Sequence, residues 1–408
     1  MLMKKNVLLL VVILMVTSCK NSLKSNQTSC SSDADTINAY KTPQGPLKIL
    51  LDDITVPLYD TLRLGELVES VRYIPLETTI ESTLGLIRDI HYNNGCYYVT
   101  YGENMMNTRL KAFNQEGKYI REMYTIGRGP NELANPLPRM VYNDSKKKLL
   151  VQSYGEFLIV DETMPNNTKI RFESTPTPGS VASLVNGFYV CTPLLYDHLP
   201  DQVDNGTYLI FYDSLFNVKG FMADDKEHKI NEIEGRTSGP ILRSWLTQSG
   251  DKVLYKDMNS DTIYVVNSDM TLTPEIIIEI PDKLKPTIKE SKNDPSEKKQ
   301  GKIYIWEYYE TKDYIIISYE FQGGVFTGFW SKSKGELVYR SFNPYDGNVI
   351  NYSDDHIHGK MYKLYDIKAS SNTLKMLASP LSLKGVIPSI QEDDNPVIVE
   401  FTLQSGKK

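Results

Sequence analysis

From residue 84 onward, short apolar or aromatic runs alternate with polar clusters rich in Gly, Asn, Asp and Ser, and helical periodicity is scarce. The runs GCYYVTY (95–101), KKLLVQS (147–153), GFYVCT (187–192), DKVLYKD (251–257) and DYIIISY (313–319) look alike. Each places apolar residues at consecutive positions, which in a strand means that both faces are covered. An open sandwich covers one face of each strand, whereas radially stacked blades cover both. After each run comes a strand, a polar turn and another strand: KAFNQEGKYIREM (111–123), LIVDETMPNNTKIRFE (158–173), LIFYDSLFNVKGFM (209–222), IYVVNSDMTLTPEIIIEI (263–280) and GFWSKSKGELVYRSF (328–342). Their turns carry the residues that close hairpins by tolerating φ > 0 or bonding locally.

Six such units begin near 84, 137, 181, 241, 302 and 349. At about 54 residues each they lie near the length of known propeller blades. The pattern predicts an all-β fold, a six-bladed β-propeller with four-stranded blades spanning 47–408. A ring of blades leaves open edges unless strands from both chain ends share a blade. VRYIPLE (71–77) and PVIVEFTLQ (396–404) are placed to close it, and 47–68 then supplies an added strand or a cover.

The segment GKYIREMYTIGRGPNELANPLPRMVYNDSKKKLLV (117–151) reads as outer strand, Gly-rich turn, proline and next inner strand. With RYIPLETTIESTLGLIRDI (72–90), YKDMNSDTIYVV (255–266) and DDNPVIVEFTL (393–403), it resembles the six-bladed β-propeller lipoproteins of Bacteroidetes, described as TolB-like or NHL-like. The resemblance covers roughly 65–403 and implies the same propeller fold.

The N-terminus speaks of location. Lys4 and Lys5 precede an unbroken apolar run from Val7 to Val16, the length of a signal-peptide core and too short to span a bilayer. V-T-S-C (16–19) follows and resembles the bacterial lipobox, which implies cleavage of a 1–18 signal peptide and lipid on Cys19. Residues 19–46, rich in Ser, Asn and Thr, then read as a flexible tether. The expected location is the cell envelope, as an outer-membrane lipoprotein held to the membrane through Cys19. Lys20, Asn21 and Ser22 lack the acidic pattern that directs some such proteins to the surface, so the sequence assigns no membrane face.

Charge narrows the partners. Lys and Arg total 45 against 51 Asp and Glu, for a net charge of −6, so no global basic footprint marks a nucleic-acid binder. Cys30, Cys96 and Cys191 lack metal-knuckle spacing. His356 and His358, after Asp354 and Asp355, have the residue types of a metal site, but an exposed polar turn is the plainer reading. GRGPNE (127–132) offers glycine N–H groups to an anion beside Arg128, yet it lacks the Lys-Ser/Thr of a phosphate loop and reads first as a blade-to-blade turn. Segments 196–206 and 282–301 read as long insertions.

Two function classes remain. One is a binding module for a polar ligand, a glycan, a peptide or an envelope protein, with Arg128, Asn131, Glu132 and Arg236 as candidate contacts at the blade junctions. It needs no cofactor. The other is an enzyme using the central channel, by analogy with six-bladed lactonases, esterases or lyases, for which a channel calcium would be the cofactor. Fold analogy alone is a weak warrant for it.

Overall fold

The computed structural model describes residues 45–51, 67–102, 108–129, 132–134, 136–143, 146–153, 156–161, 168–171, 178–193, 207–223, 244–257, 260–286, 301–322, 324–344, 350–351, 360–361 and 367–405. Among them there is no α-helix, and six small antiparallel sheets form a six-bladed β-propeller. The innermost strands of the first five blades are Ile87–Asn93, Pro136–Asn143, Pro178–Ser183, Ser244–Ser249 and Tyr304–Glu310. Each opens a four-strand meander that runs outward. The sixth sheet begins at Ile350–Asn351 and Lys360–Met361 and continues through Thr373–Ala378 and Val397–Leu403.

Blade 6 closes the ring. Its outer strand is Val68–Pro75, from the other end of the chain, paired antiparallel with Val397–Leu403 from Val68↔Leu403 to Pro75↔Val397. The closing strands are the two predicted from the sequence. The expected added strand is also present: Leu47–Leu50 lies parallel on Leu272–Glu279, as a fifth strand outside blade 4.

The consecutive apolar runs have a direct explanation. In blade 5 the second strand, Tyr314–Phe321, is buried at all eight positions. Tyr314 and Ile316 enter the core shared with blade 6, while Ile315, Ile317, Tyr319 and Phe321 enter the core shared with blade 4. The strand alternation is intact, but each face meets another blade. Six apolar cores result, one per interface. The last joins Ile74, Leu377 and Ile398 of blade 6 to Ile90, Tyr97, Val99 and Phe113 of blade 1.

The ring has two unlike ends. Turns between first and second strands, and between third and fourth, crowd one end, termed here the turn end. Second-to-third loops and the outer-to-inner crossings gather at the other, the junction end. Blade twist carries outer strands towards the neighbouring blade. At Gly117 (φ +80), in an outer turn of blade 1, a Cβ would stand 2.2 Å from Pro75 O of blade 6, so only glycine fits that approach.

Candidate functional site

At the turn end the inner turns are bonded from blade to blade around the whole ring. Asn94 Nδ2 of blade 1 donates to Tyr142 Oη of blade 2 (3.3 Å), and Asn143 Nδ2 donates to Gly187 O of blade 3 (3.4 Å). Ser183 N donates to Gln248 Oε1 of blade 4 (3.1 Å), and Glu310 N of blade 5 to Ser249 Oγ (3.4 Å). Asp313 N donates to Asn372 Oδ1 of blade 6 (3.0 Å), and Lys368 Nζ donates to Tyr92 O of blade 1 (3.2 Å). Two further bonds join blades that are not neighbours. Gln248 Nε2 of blade 4 donates to Tyr142 O of blade 2 (3.2 Å), and Ala369 N of blade 6 donates to Ser249 O of blade 4 (3.2 Å). Alternate blades meet only on the inside of the ring, so these bonds cross the channel mouth and bridge it.

The junction end is built differently. Between blades 6 and 1 the crossing 76–86 is held by Asn395, which lies in the blade 6 loop 379–396. Asn395 Oδ1 accepts from Leu84 N (2.8 Å), its Nδ2 donates to Glu77 O (2.7 Å) and Ser82 O (3.1 Å), and its N–H donates to Thr78 Oγ1 (2.8 Å). Within the crossing, buried Ser82 accepts from Thr79 N (2.7 Å) and donates to Glu77 O (2.7 Å). This rigid frame presents apolar side chains to solvent: Ile80 is 96% exposed, Leu381 52%, and Leu86 is exposed as well. Glu81, Glu392 and Asp393 are exposed beside them.

Three cations at this end are committed to the structure. Lys111 is buried, donates to Thr83 O (2.7 Å), and sits 4.7 Å above the centre of the Tyr101 ring and 5.9 Å from that of Tyr119. Burial lowers its pKa, against the pull of Glu122. In blade 4, burial pulls the amine of Lys256 down to about 8, with Asp257 and Asp261 acting in the opposite sense. Lys285, after the outer strand of blade 4, pairs with Asp261. Among the described residues no three His, Cys, Asp or Glu side chains gather as a metal would need.

Of the ligand contacts singled out in the sequence, Arg128 and Glu132 lie among the described residues. Arg128 is exposed on its turn. Glu132 is turned inward: its Oε2 accepts from Gly129 N (2.7 Å), while Gly127 N donates to Leu133 O (3.0 Å) and Thr125–Ile126 pairs parallel with Glu132–Leu133. A Cβ on Gly127 would stand 2.0 Å from that carboxylate oxygen. The protein's own anion thus occupies the glycine turn, where an external anion had been one reading. Cys19, Asn131, Arg236, His356 and His358 lie outside the described residues, as do 196–206 and 287–300.

A family model described as "Domain of unknown function (DUF4934)" matches residues 53–402. The chain belongs to the DUF4934 family. No curated protein matches it. Among solved structures, a Bacteroides fragilis protein described as exported is 16% identical, covers 88% of this chain and 100% of its own, and superposes with a TM-score of 0.66. That likeness establishes the fold. A virginiamycin B lyase from Staphylococcus aureus, solved with quinupristin, is 11% identical over 82% of this chain and 100% of its own, with a TM-score of 0.43. A Bacteroides thetaiotaomicron protein of unknown function is 9% identical over 82% and 76%, with a TM-score of 0.44. Scores this low carry no functional argument.

Sequence reasoning missed the residues that organise the two ends of this DUF4934 propeller. Gln248 bonds to blades 2 and 3, and Asn395 bonds to a crossing on the far side of the sequence. Neither stands in a spacing that local chemistry would mark. Asn395 does lie in DDNPVIVEFTL, one of the segments that carried the family resemblance.

Proposed function

We propose that this DUF4934 protein is an extracytoplasmic, lipid-anchored binding module that takes its partner at the junction end. One observation carries the reading: the turn end is bridged across the axis by hydrogen bonds, whereas the junction end presents a braced surface with exposed Ile80, Leu86 and Leu381. Rigid apolar tips rimmed by carboxylates suit a protein or peptide partner, because apolar side chains held in place lose little freedom on binding. Arg128 is assigned a charged contact on this end, Asn131 and Arg236 are carried from the sequence as further polar contacts, and Glu132 braces the turn that presents Arg128. The lipobox-like segment ending at Cys19 supports envelope anchoring, and the B. fragilis protein of the same fold is described as exported.

The test is site-directed photocrosslinking in the producing cells. A photoreactive amino acid at position 80 or 381 should yield a discrete adduct that Arg128→Ala or Leu86→Ser weakens. The same group at position 215, on the turn end, should not yield that adduct. An adduct formed equally from position 215 refutes the assignment.

A further inference from the structure

We infer that the partner docks through a segment bearing lysine or arginine on both sides of an apolar residue, and that this segment seats on the blade 6–1 crossing. The inference rests on the binding reading above and adds the partner's chemistry to it. Asn395 gathers the surface concerned. Its Nδ2 donates to Ser82 O (3.1 Å), just beyond Ile80 and Glu81 in the chain, while Glu392 and Asp393 shortly precede Asn395 itself. At about 3.8 Å per residue, Ile80 and the three carboxylates stem from within roughly 12 Å of that amide.

The loop that carries Asn395, 379–396, is an ordered elaboration of blade 6. Leu383 and Ile390 anchor it in the blade 5–6 core, and Val386 N and Ile387 N both donate to Leu383 O (2.9 and 2.8 Å). Asp394 Oδ2 accepts from Gln391 N (2.7 Å) and closes the turn on which Glu392 and Asp393 are exposed. In blade 5 the corresponding loop spans 322–323 alone, so a blade does not require the longer one.

The charge on these two segments is one-sided. Against Lys384, the one cation of 76–86 and 379–396, stand Glu81, Glu392, Asp393 and half-buried Asp394. No ion pair among the described residues engages Glu81, Glu392 or Asp393, whereas Glu77 pairs with Lys118 (3.6 Å) and Glu400 with Lys375 (3.6 Å). Like charges about one Debye length apart reinforce one another and steer cations to the surface. A cation seated there relieves their repulsion, and Ile80 supplies the apolar contact between the charges. The large apolar side chains exposed among the described residues are all aliphatic, which favours a protein segment over the stacking of a sugar ring. Arg128 stands on the neighbouring crossing, between blades 1 and 2, outside this acidic stretch.

The experiment uses the full-length protein in envelopes of the producing cells, with a photoreactive amino acid at position 80. The adducted segment is identified by mass spectrometry, and adduct yield is normalised to the protein present. The segment should carry net positive charge. Excess pentapeptide Lys-Lys-Leu-Lys-Lys should suppress the adduct several-fold, and Glu-Glu-Leu-Glu-Glu should leave it unchanged. Glu81→Gln, Glu392→Gln and Asp393→Asn together should lower the yield several-fold with the melting midpoint unchanged. Asp251→Asn with Glu336→Gln, on turns of blades 4 and 5, should not lower it. An adducted segment without net positive charge, equal suppression by the two peptides, or a yield that the triple variant leaves intact overturns the inference while binding at the junction end stands. Absence of any adduct from position 80 overturns the binding reading and the inference with it.

Discussion

Replacing Phe401 with alanine should destabilise the whole ring and not only the last blade. Phe401 is 1% exposed, pairs with Val71 of the N-terminal strand, and lies in the core that blades 5 and 6 share with Val68, Val71 and Tyr73. Truncating a buried phenylalanine costs about 3–5 kcal/mol, the transfer term plus a cavity that closed packing cannot fill. For a ring of about 350 residues, the unfolding entropy corresponds to about 0.7 kcal/mol per degree, so the midpoint should fall by roughly 4–7 °C. The strand as a whole carries more. Val397, Ile398, Val399, Phe401 and Leu403 are all buried, and deleting them removes about 10 kcal/mol of apolar burial, comparable with the stability of an entire domain. The assay is thermal unfolding followed by far-ultraviolet circular dichroism and by tryptophan fluorescence. With Trp245 and Trp306 replaced by phenylalanine in both proteins, Trp330 alone reports, from the blade 4–5 core one interface away from Phe401. In a closed ring, both signals move together and by the same amount. A Trp330 transition left at its original midpoint, with an earlier partial loss of circular dichroism, would show that blade 6 frays alone and would refute closure as the source of stability.

Other perturbations address separate parts of the molecule. Cys19→Ala should abolish acyl labelling and leave the precursor unprocessed by the lipoprotein peptidase; continued labelling refutes lipidation there. Glu132→Ala removes the acceptor of Gly129 N and should cost about 1–2 kcal/mol in urea unfolding, while Arg128→Ala should change stability by less than about 0.5 kcal/mol. The reverse order would mean that Glu132 does not brace the turn. Lys256 should make stability rise with pH. Its folded pKa lies near 8 and its unfolded pKa near 10.5, so between those values the unfolded chain binds more protons than the fold. The destabilisation, about 3 kcal/mol below pH 8, is relieved as pH approaches 10.5. Lys256→Met should therefore stabilise at pH 7 by about 2 kcal/mol, after loss of the hydrogen bond to Asp257 O, and should flatten the slope from pH 8 to 10.5. An unchanged slope in that variant sinks the assignment.

The fold was legible because propellers write their geometry into consecutive positions. A strand such as Tyr314–Phe321 alternates between two cores, so every position is apolar or tightly packed and the run stands out without any helical competitor. Closure was legible for a related reason: a ring with free edges is unstable, and only two terminal segments had the composition to pair. The site was far less legible. Asn395, Gln248 and Lys368 act through partners that are distant in sequence, and a single polar residue in a turn looks the same whether it caps its own turn or crosses the channel. GRGPNE shows the complementary problem. Its glycines do form an anion-accepting turn, but the anion is Glu132, three residues after the glycine that donates to it. A sequence displays both the donor and the occupant without saying that they find each other.

The asymmetry between the two ends follows from where their backbone bonds go. Tight inner turns leave main-chain carbonyls such as Tyr142 O and Ser249 O pointing into the channel mouth, and buried acceptors need donors. Gln248 and Ala369 supply them from alternate blades, which satisfies the backbone and bridges that end at once. The junction crossings are longer, and Asn395 satisfies one of them from the side, leaving its apex at Ile80 unencumbered. An isoleucine 96% exposed on a turn held by that many hydrogen bonds gains nothing from burial within its own chain. Evolving stability alone would favour a polar residue there. An isoleucine held outward on so rigid a support is what the partner-binding surface proposed above requires.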